Sequence, residues 1–267
     1  AKLASKFGKV VLSGTGGDEL FAGYPWRYFA HDEYQTFDNY VDHFYKYWQR
    51  LLSNSELKLL FKPIWNEVKD VWTRDIFLNT IKKRAEGFRT KEDAINTSLY
   101  LEAKTFLHGL FIIEDKISMA HSLESRVPFM DNDLVDFALK TPVSYKLSNL
   151  GNIKKLDENT SMGKKRVYNH ATNSGKRILR DMLDQYMPKT VTRGAKKGFS
   201  SPDSSWFRGE SIRFVLRIIE DKNMPIYQYF NYKFTNSLVN QHVSGVKNRR
   251  LLVWSLINFN QYLLHFN

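Results

Sequence analysis

A short apolar run ahead of a glycine-rich loop most constrains the fold of this 267-residue chain. Val10–Leu12 is followed directly by the sequence SGTGGDE, residues 13–19. β-Branched residues before a glycine turn and a polar helix start are typical of a strand–loop–helix element. Backbone N–H groups of such a loop can approach an anion, and the following helix adds its positive end. We therefore expect a buried strand followed by a phosphate site, or alternatively a tight turn that Asp18 caps.

The loop does not match the two commonest phosphate-binding motifs. It lacks the Gly-Lys-Ser/Thr ending of a P-loop, and Glu19 stands where the dinucleotide fingerprint needs its third glycine. Asp18 is placed to cap the helix or to hold a divalent cation beside phosphates.

Most of the remaining chain shows helical periodicity. Apolar and aromatic residues recur at helical spacing across residues 34–72, 93–120 and 176–186, and again from Trp206 to the end. Residues 145–174 and 194–202 are polar, basic and rich in turn residues, so we expect loops there. The sequence predicts a mainly α-helical protein around one strand–loop–helix element.

Composition narrows the possible partners and excludes several classes of site. The chain contains 40 Lys and Arg against 28 Asp and Glu, a net charge of +12, which suits nucleic acid, an acidic membrane or a polyphosphate ligand. The absence of cysteine excludes disulfide scaffolds, thiolate metal sites and a cysteine nucleophile. The seven histidines show no metal-ligand spacing. Polar residues interrupt the longest uncharged stretch, residues 251–267, so we expect no membrane span.

Four ordered segments and the last helix resemble the synthetase domain of glutamine-dependent asparagine synthetases. Residues 9–24 are similar to a strand that runs into Ser-Gly-Glu-Gly-x-Asp-Glu. Residues 112–131, IIEDKISMAHSLESRVPFMD, are similar to a stretch that ends in Glu-x-Arg-Val-Pro-Phe-Leu-Asp. Residues 175–182 resemble the Lys-x-x-Leu-Arg helix, residues 193–202 the Arg-x-x-Lys-x-x-Phe-x-x-Pro loop, and residues 249–266 the last helix.

The resemblance implies a fold and a place within a longer protein. The family fold is an α/β core of the adenine-nucleotide α-hydrolase type, and we expect this chain to be predominantly α-helical around one or a few parallel strands. Residues 1–267 correspond to the carboxy-terminal part of the synthetase domain. The family's upstream pyrophosphatase loop, Ser-Gly-Gly-x-Asp-Ser, and its glutaminase domain are not in the sequence. The chain alone is therefore expected to be inactive.

The resemblance also implies a reaction in a cytoplasmic protein. An ATP-dependent carbon–nitrogen ligase of this kind adenylates a carboxylate, nominally aspartate, and releases pyrophosphate. Ammonia from a glutaminase domain then displaces AMP and gives asparagine. The implied cofactor is Mg²⁺ with ATP. The implied partners are ATP, aspartate or another carboxylate, and ammonia, with no nucleic acid, no membrane and a possible homo-oligomer.

Individual residues take roles from the same resemblance. Ser13 and Gly14 match residues that contact ATP, and Asp18 matches a residue that binds Mg²⁺ with pyrophosphate. Lys176 matches a lysine that stabilises charge during adenylation, and Lys196 matches the basic residue of the later loop. Cations at these places fit the chemistry, because adenylation builds negative charge on the leaving pyrophosphate. The alternative for either lysine is ordinary solvation at the surface.

One departure from the family leaves the acceptor substrate open. Thr15 stands where asparagine synthetases usually carry the glutamate tied to formation and aminolysis of the aspartyl-adenylate, and a threonine is not a base near neutral pH. Glu124 is a candidate for the missing carboxylate near Thr15. The favoured alternative for Glu124 is a buried structural ion pair with Arg126.

Two other functions remain open at this point. One is a specialised amidotransferase that acts on a sugar or peptide carboxylate, which Thr15 permits. The other is a basic nucleic-acid-binding module, which accounts for the net charge but for none of the motifs.

Overall fold

The computed structural model describes residues 1–28, 36–49, 51–148, 175–194 and 209–266. These residues are mostly α-helical, as predicted, with two short parallel strands. The α-helices are, in chain order, α1 (Gly17–Leu20), α2 (Phe37–Trp48), α3 (Asn54–Leu60), α4 (Trp65–Val68), α5 (Thr73–Ile81), α6 (Lys91–Glu102), α7 (His108–Met119), α8 (Asn132–Lys140), α9 (Val143–Lys146), α10 (Arg177–Leu183), α11 (Lys189–Thr192), α12 (Ile212–Ile219), α13 (Tyr232–Val243) and α14 (Arg250–Phe266). Short 3₁₀ turns lie at Ala4–Lys6, Pro25–Tyr28, Lys62–Ile64, Lys82–Arg84, Pro128–Met130 and Pro225–Gln228.

The two strands are distant in sequence and adjacent in space. β1 (Val10–Leu12) pairs in parallel with β2 (Glu124–Arg126), and the register sets Ser125 opposite Val11. The ladder continues beyond β1, because the Ser13 N–H donates to the Arg126 carbonyl oxygen at 2.8 Å. The first residue of the glycine-rich loop is therefore fixed beside the end of β2.

The prediction that β1 is buried is wrong for the described chain. The side chains of Val10 and Leu12 are 53% and 73% exposed. A two-stranded sheet is too narrow to be enclosed by the helices that contact it. The prediction of a strand followed by a glycine turn and a helix is correct, and only the strand's environment differs.

The long helical stretch predicted between residues 93 and 120 is present. A capping box starts α6, since the Thr90 hydroxyl accepts from the Asp93 N–H and the Asp93 carboxylate accepts from the Thr90 N–H at 2.8 Å. A π-helical turn, Ala103–Leu107, joins α6 to α7 without a break. The helical spacing of Leu99, Ile113 and Ile117 predicts one apolar face. Leu99 on α6 is buried, but Ile113 and Ile117 on α7 are 58% and 56% exposed.

The described chain forms two compact units. The first comprises residues 1–28, 36–41, 77–148 and 175–194, and it contains both strands. Two groups of buried side chains hold it together. One group consists of Ala22, Tyr28, Ile95, Leu99, Val143 and Leu147, and the other of Leu20, Phe21 and Ala138 with Phe129, Met130, Leu134, Val135, Ile178 and Leu179 packed against them.

The second unit comprises residues 42–49, 51–76 and 209–266. Its core includes an apolar cluster drawn mainly from α12, α13 and α14, with Val215, Ile219, Leu238, Val253 and Leu256 among its buried members. No helix in the described ranges has the length and hydropathy needed to cross a membrane. The loops predicted at residues 145–174 and 194–202 lie largely outside those ranges.

Candidate functional site

The glycine-rich loop is shaped by the segment that follows β2. Gly16 has φ +96°, in the left-handed region, and a Cβ at this position would lie 2.8 Å from Met130 Sδ. A Cβ on Gly17 would lie 3.1 Å from the Phe129 ring. Only glycine allows this loop to turn so close to Phe129 and Met130. By contrast, no atom of the described residues lies within 4 Å of a Cβ built on Gly14, so the loop faces open space in that part of the chain.

Asp18 and Lys176 meet at the end of the loop. The Asp18 Oδ1 lies 2.9 Å from Lys176 Nζ, and the two side chains are 24% and 33% exposed. Two residues assigned to the site from the sequence, 158 positions apart, are thus in direct contact. Both charges remain accessible to a ligand at the surface.

Lys176 is held in place by its backbone. Its φ is +56°, a left-handed conformation that costs roughly 1 kcal/mol or more for a residue with a side chain. Its N–H donates to the Phe21 carbonyl oxygen at 3.0 Å, and Gly175 packs closely against the Ala22 carbonyl oxygen. The segment that ends α1 therefore positions Lys176 over Asp18.

Helix α1 has only four residues. A helix dipole is the sum of aligned peptide dipoles, so a single turn adds little positive potential at its start. The helix predicted after the loop is present, but it is a single turn, so its contribution at the loop stays a prediction. Lys176 supplies positive charge there.

The hydroxyl of Thr15 is hydrogen-bonded to a carboxylate. Thr15 Oγ1 donates to Glu114 Oε2 at 3.1 Å and lies 2.8 Å from Ser13 Oγ. Glu114 lies on α7, and its other oxygen accepts a short hydrogen bond from the Ser125 hydroxyl of β2. Three hydroxyls and one carboxylate are thereby gathered at the carboxyl end of β1, all of them partly exposed.

These hydroxyls keep Glu114 acidic. Burial raises the pKa of Glu114, but hydrogen bonds from Ser125, Ser13 and Thr15 outweigh that effect and lower the pKa below its ordinary value. Glu114 is therefore an anion at neutral pH.

Glu124 and Arg126 form the ion pair expected from the sequence, but at the surface. Glu124 Oε1 lies 2.7 Å from Arg126 Nε, and the side chains are 51% and 64% exposed. The prediction of a buried pair is wrong. Glu124 and Arg126 are two positions apart on β2, so their side chains lie on the same face of the sheet, and that face is exposed to solvent. An exposed pair of this kind contributes roughly 0–1 kcal/mol. The catalytic role assigned to Glu124 stays a prediction.

A buried ionic cluster lies beside α1. Glu102, at the end of α6, is fully buried, with Arg27 Nη1 3.4 Å from its Oε1 and the Tyr28 hydroxyl donating to its Oε2 at 3.1 Å. Burial raises the pKa of Glu102 to about 7, although Arg27 lowers it, and Glu19 of α1 raises it further. The cluster ties α6 to the segment that carries Asp18.

Asp18 is the described residue assigned to a metal. No group of three or more acidic or histidine side chains that could hold a metal occurs in the part of the chain that the structure describes. Mg²⁺ is often bound through one or two carboxylates together with substrate phosphates, and the partly exposed Asp18 carboxylate fits that arrangement. Lys196 lies outside the described residues.

Sequence reasoning missed Glu114 and Ser125. Both lie in the segment 112–131 that carries the resemblance, but the motif in that segment singles out Glu124 and Arg126. The available signal was the parallel pairing of β1 with β2. Once that pairing is assumed, side chains of β2 and of the helix before it are expected next to the glycine-rich loop.

Known proteins match the chain over most of its length. The sequence profile of the asparagine synthase family matches residues 1–264. "Asparagine synthetase [glutamine-hydrolyzing] 1" of Bacillus subtilis is 24% identical over 97% of the chain and 41% of that protein. A putative asparagine synthetase of Methanocaldococcus jannaschii is 29% identical over 71% of the chain and 26% of that protein. "Amidase chyE" of Penicillium rubens is 24% identical over 86% of the chain and 38% of that protein. The chain thus spans less than half the length of these relatives.

Proposed function

The chain belongs to the asparagine synthase family, and from this premise we propose that its full-length protein is an ATP-dependent ligase that converts a carboxylate to an amide. In the first step a carboxylate oxygen of the acceptor, nominally the side chain of aspartate, attacks the α-phosphorus of ATP, and pyrophosphate leaves. In the second step ammonia derived from glutamine attacks the acyl carbon of the mixed anhydride. The bond to AMP breaks, and an amide, AMP and a proton result.

The contact between Asp18 and Lys176 carries this proposal. A carboxylate and an ammonium group 2.9 Å apart, both partly exposed beside a glycine-rich loop, can together bind a metal–polyphosphate complex. The carboxylate holds the cation side of the complex, and the lysine holds phosphate oxygens. Each also neutralises the other when no ligand is bound.

The glycine-rich loop supports the same assignment. The open space at Gly14 lets a ligand approach the backbone closely, and Ser13 offers a hydroxyl next to it. We assign Ser13 and Gly14 to ATP contact, Asp18 to the metal, and Lys176 to the charge that builds on the departing pyrophosphate. Mg²⁺ bound with the ATP phosphates would supply further neutralisation of that charge.

Exchange of labelled pyrophosphate into ATP, measured in the full-length protein with Mg²⁺ and aspartate, tests the first step. Asp18→Asn keeps the shape of the side chain and removes its charge, so we expect exchange to fall at least about 100-fold. Asp70→Asn is the matched control, because Asp70 is an exposed carboxylate on the other unit. Normal Mg²⁺-dependent exchange in Asp18→Asn would remove Asp18 from the site.

A second candidate is the same chemistry on another carboxylate, such as that of a sugar or a peptide. Thr15 favours it, since a hydroxyl borders the loop at the position where asparagine synthetases usually carry a glutamate. Among the curated relatives, two are named amidases instead of synthetases. Exchange measured with aspartate and then with sugar and peptide carboxylates separates the two candidates, because adenylation requires the correct acceptor.

A further inference from the structure

We propose that Glu114 is the carboxylate that receives, through the hydroxyl of Thr15, the proton released when the amine attacks the acyl-adenylate. This inference rests on the proposed function and assigns a positioning residue to its second step. Thr15 would touch the reacting nitrogen, and Glu114 would act from behind it.

The geometry around Glu114 is that of an anchored proton acceptor. Oε2 accepts from the Thr15 hydroxyl at 3.1 Å, and Oε1 accepts from the Ser125 hydroxyl. Both oxygens are thus held, and the carboxylate cannot rotate without breaking one of these bonds. Ser125 lies on β2 and Thr15 follows β1, so the parallel pairing of the two strands fixes the distance between these two hydrogen-bond donors.

The partners of Glu114 are also unusual for a purely structural carboxylate. Within the part of the chain that the structure describes, they are hydroxyl groups and not cations. A hydroxyl can accept one proton while it donates another, whereas an ammonium or guanidinium group can only donate. The Ser13 and Thr15 hydroxyls lie 2.8 Å apart, and because the single Thr15 proton is donated to Glu114, Thr15 Oγ1 is left to accept from Ser13 or from a substrate N–H.

The site is open on the side where a substrate would lie. Ser13, Thr15 and Glu114 are all partly exposed, and Thr15 lies in the loop between Ser13 and Asp18. An acyl-adenylate whose single phosphate contacts that loop would present its acyl carbon near Thr15. A hydroxyl at this position reaches the substrate directly, and Glu114 reaches it only through that hydroxyl.

The proton balance of the step is complete. The nitrogen lone pair forms the new carbon–nitrogen bond, and the carbonyl opens to a tetrahedral intermediate with a positive nitrogen. When the bond between carbon and the AMP oxygen breaks, AMP leaves with the electron pair. The nitrogen passes a proton to Thr15 Oγ1 while the Thr15 proton moves to Glu114 Oε2. Glu114 then returns that proton to solvent.

A weakly basic carboxylate suits this late transfer. The nitrogen becomes an amide as AMP leaves, and a protonated amide nitrogen is a far stronger acid than a carboxylic acid. The transfer to Glu114 is therefore favourable even though hydrogen bonds lower the pKa of the carboxyl. The same low pKa keeps Glu114 charged before the step, when its negative charge stabilises the positive nitrogen.

Two half-reactions of the full-length protein test the proposal. Aspartate-dependent exchange of pyrophosphate into ATP reports adenylation, and the ratio of AMP to amide formed with ammonium chloride reports the second step. In Glu114→Gln we expect exchange within about threefold of the unmodified protein and amide formation at least about 100-fold slower. AMP should then exceed amide, because water hydrolyses the acyl-adenylate that has not reacted with ammonia. Glu86→Gln, an exposed residue of the same unit, is the matched control.

Thr15 variants distinguish loss of the proton relay from loss of folding. Thr15→Val removes the hydroxyl but keeps the shape and the charge of Glu114, so it should show the same excess of AMP, while Thr15→Ser should restore coupling. An unchanged ratio of AMP to amide in Glu114→Gln and Thr15→Val, or an equal loss of both half-reactions in variants with unchanged thermal unfolding, would overturn the role of Glu114. If the unmodified protein exchanges pyrophosphate into ATP with neither aspartate nor the sugar and peptide carboxylates, the proposed reaction is overturned instead, and the relay with it.

Discussion

Gly23 determines where the Asp18 carboxylate lies. The Gly23 N–H donates to the Asp18 carbonyl oxygen at 2.7 Å, and a Cβ at position 23 would lie 2.8 Å from Asp18 Cα and would overlap the Asp18 carboxylate. The backbone atoms cannot yield as a flexible side chain would. Glycine is therefore needed at position 23 because Asp18 must lie beside Lys176.

Gly23→Ala is expected to weaken the site and the fold together. The added methyl group should displace Asp18, lower the free energy of unfolding by about 1–3 kcal/mol, and weaken binding of pyrophosphate in the presence of Mg²⁺. Gly109→Ala is the control, because no described residue has an atom within 4 Å of a Cβ there and α7 should gain about 0.5–1 kcal/mol. Urea unfolding and calorimetric titration measure the two effects. Equal behaviour of the two variants would contradict this account of Gly23.

Sequence reasoning assigned Asp18 and Lys176 to the site, and the structure places the two side chains in contact, but that reasoning could not point to Glu114. Asp18 lies in the glycine-rich loop and Lys176 in a segment that carries the family resemblance. Glu114 depends on a contact with Thr15 across 99 positions, and a local pattern does not encode such a contact. The exposure of the Glu124–Arg126 pair was missed for a related reason. Exposure of a strand depends on which distant parts of the chain pack against the sheet.

At the scale of elements, Glu56 links the start of α3 to the start of α14. It completes the capping box of α3 with Ser53, and its Oε1 also accepts from the guanidinium of Arg249. Although burial raises the pKa of Glu56, hydrogen bonds from Ser53 and Arg249 lower it to about 2. One carboxylate thereby stabilises two helix starts of the second unit.

Glu56→Gln should therefore destabilise the protein at neutral pH and much less in acid. The folded-state pKa lies below the ordinary value near 4.5, so this stabilisation is fully present above about pH 4.5. It is lost as the pH falls toward about 2, where the carboxyl becomes protonated. Urea unfolding of both proteins at several pH values measures the difference, and Glu67→Gln, an exposed residue of α4, is the control. A difference that stays constant with pH would show that the charge of Glu56 contributes nothing.

Elements were easier to predict than their surroundings. Helical periodicity located the α6–α7 stretch and the helices after Trp206, because a helix is set by contacts three and four residues apart. The same pattern does not reveal which face is covered. Ile113 and Ile117 have the spacing of a buried stripe and yet are exposed. β1 was recognised as a strand for its β-branched residues, while its burial depends on neighbours elsewhere in the chain.

At the scale of the whole molecule, the net charge of +12 will attract polyanions regardless of any site. Such attraction is spread over many lysines and arginines and weakens steeply with salt, as in non-specific binding to nucleic acid. Binding at the Asp18–Lys176 pair has a different signature, because it depends on one lysine and on a metal. Affinity alone does not separate the two, but substitution of a single lysine does.

We therefore expect Lys176→Met to abolish saturable binding of pyrophosphate with Mg²⁺, while Lys140→Met leaves it unchanged. The two variants carry the same net charge, and Lys140 is an exposed residue of α8 in the same unit, so a difference between them reports position and not charge. Calorimetric titration at two salt concentrations measures binding, and a nucleic-acid oligonucleotide serves as the comparison ligand. The oligonucleotide should bind both variants equally and lose affinity with salt. Equal weakening of pyrophosphate binding in both variants would mean that the net charge, and not the Asp18–Lys176 pair, attracts phosphate.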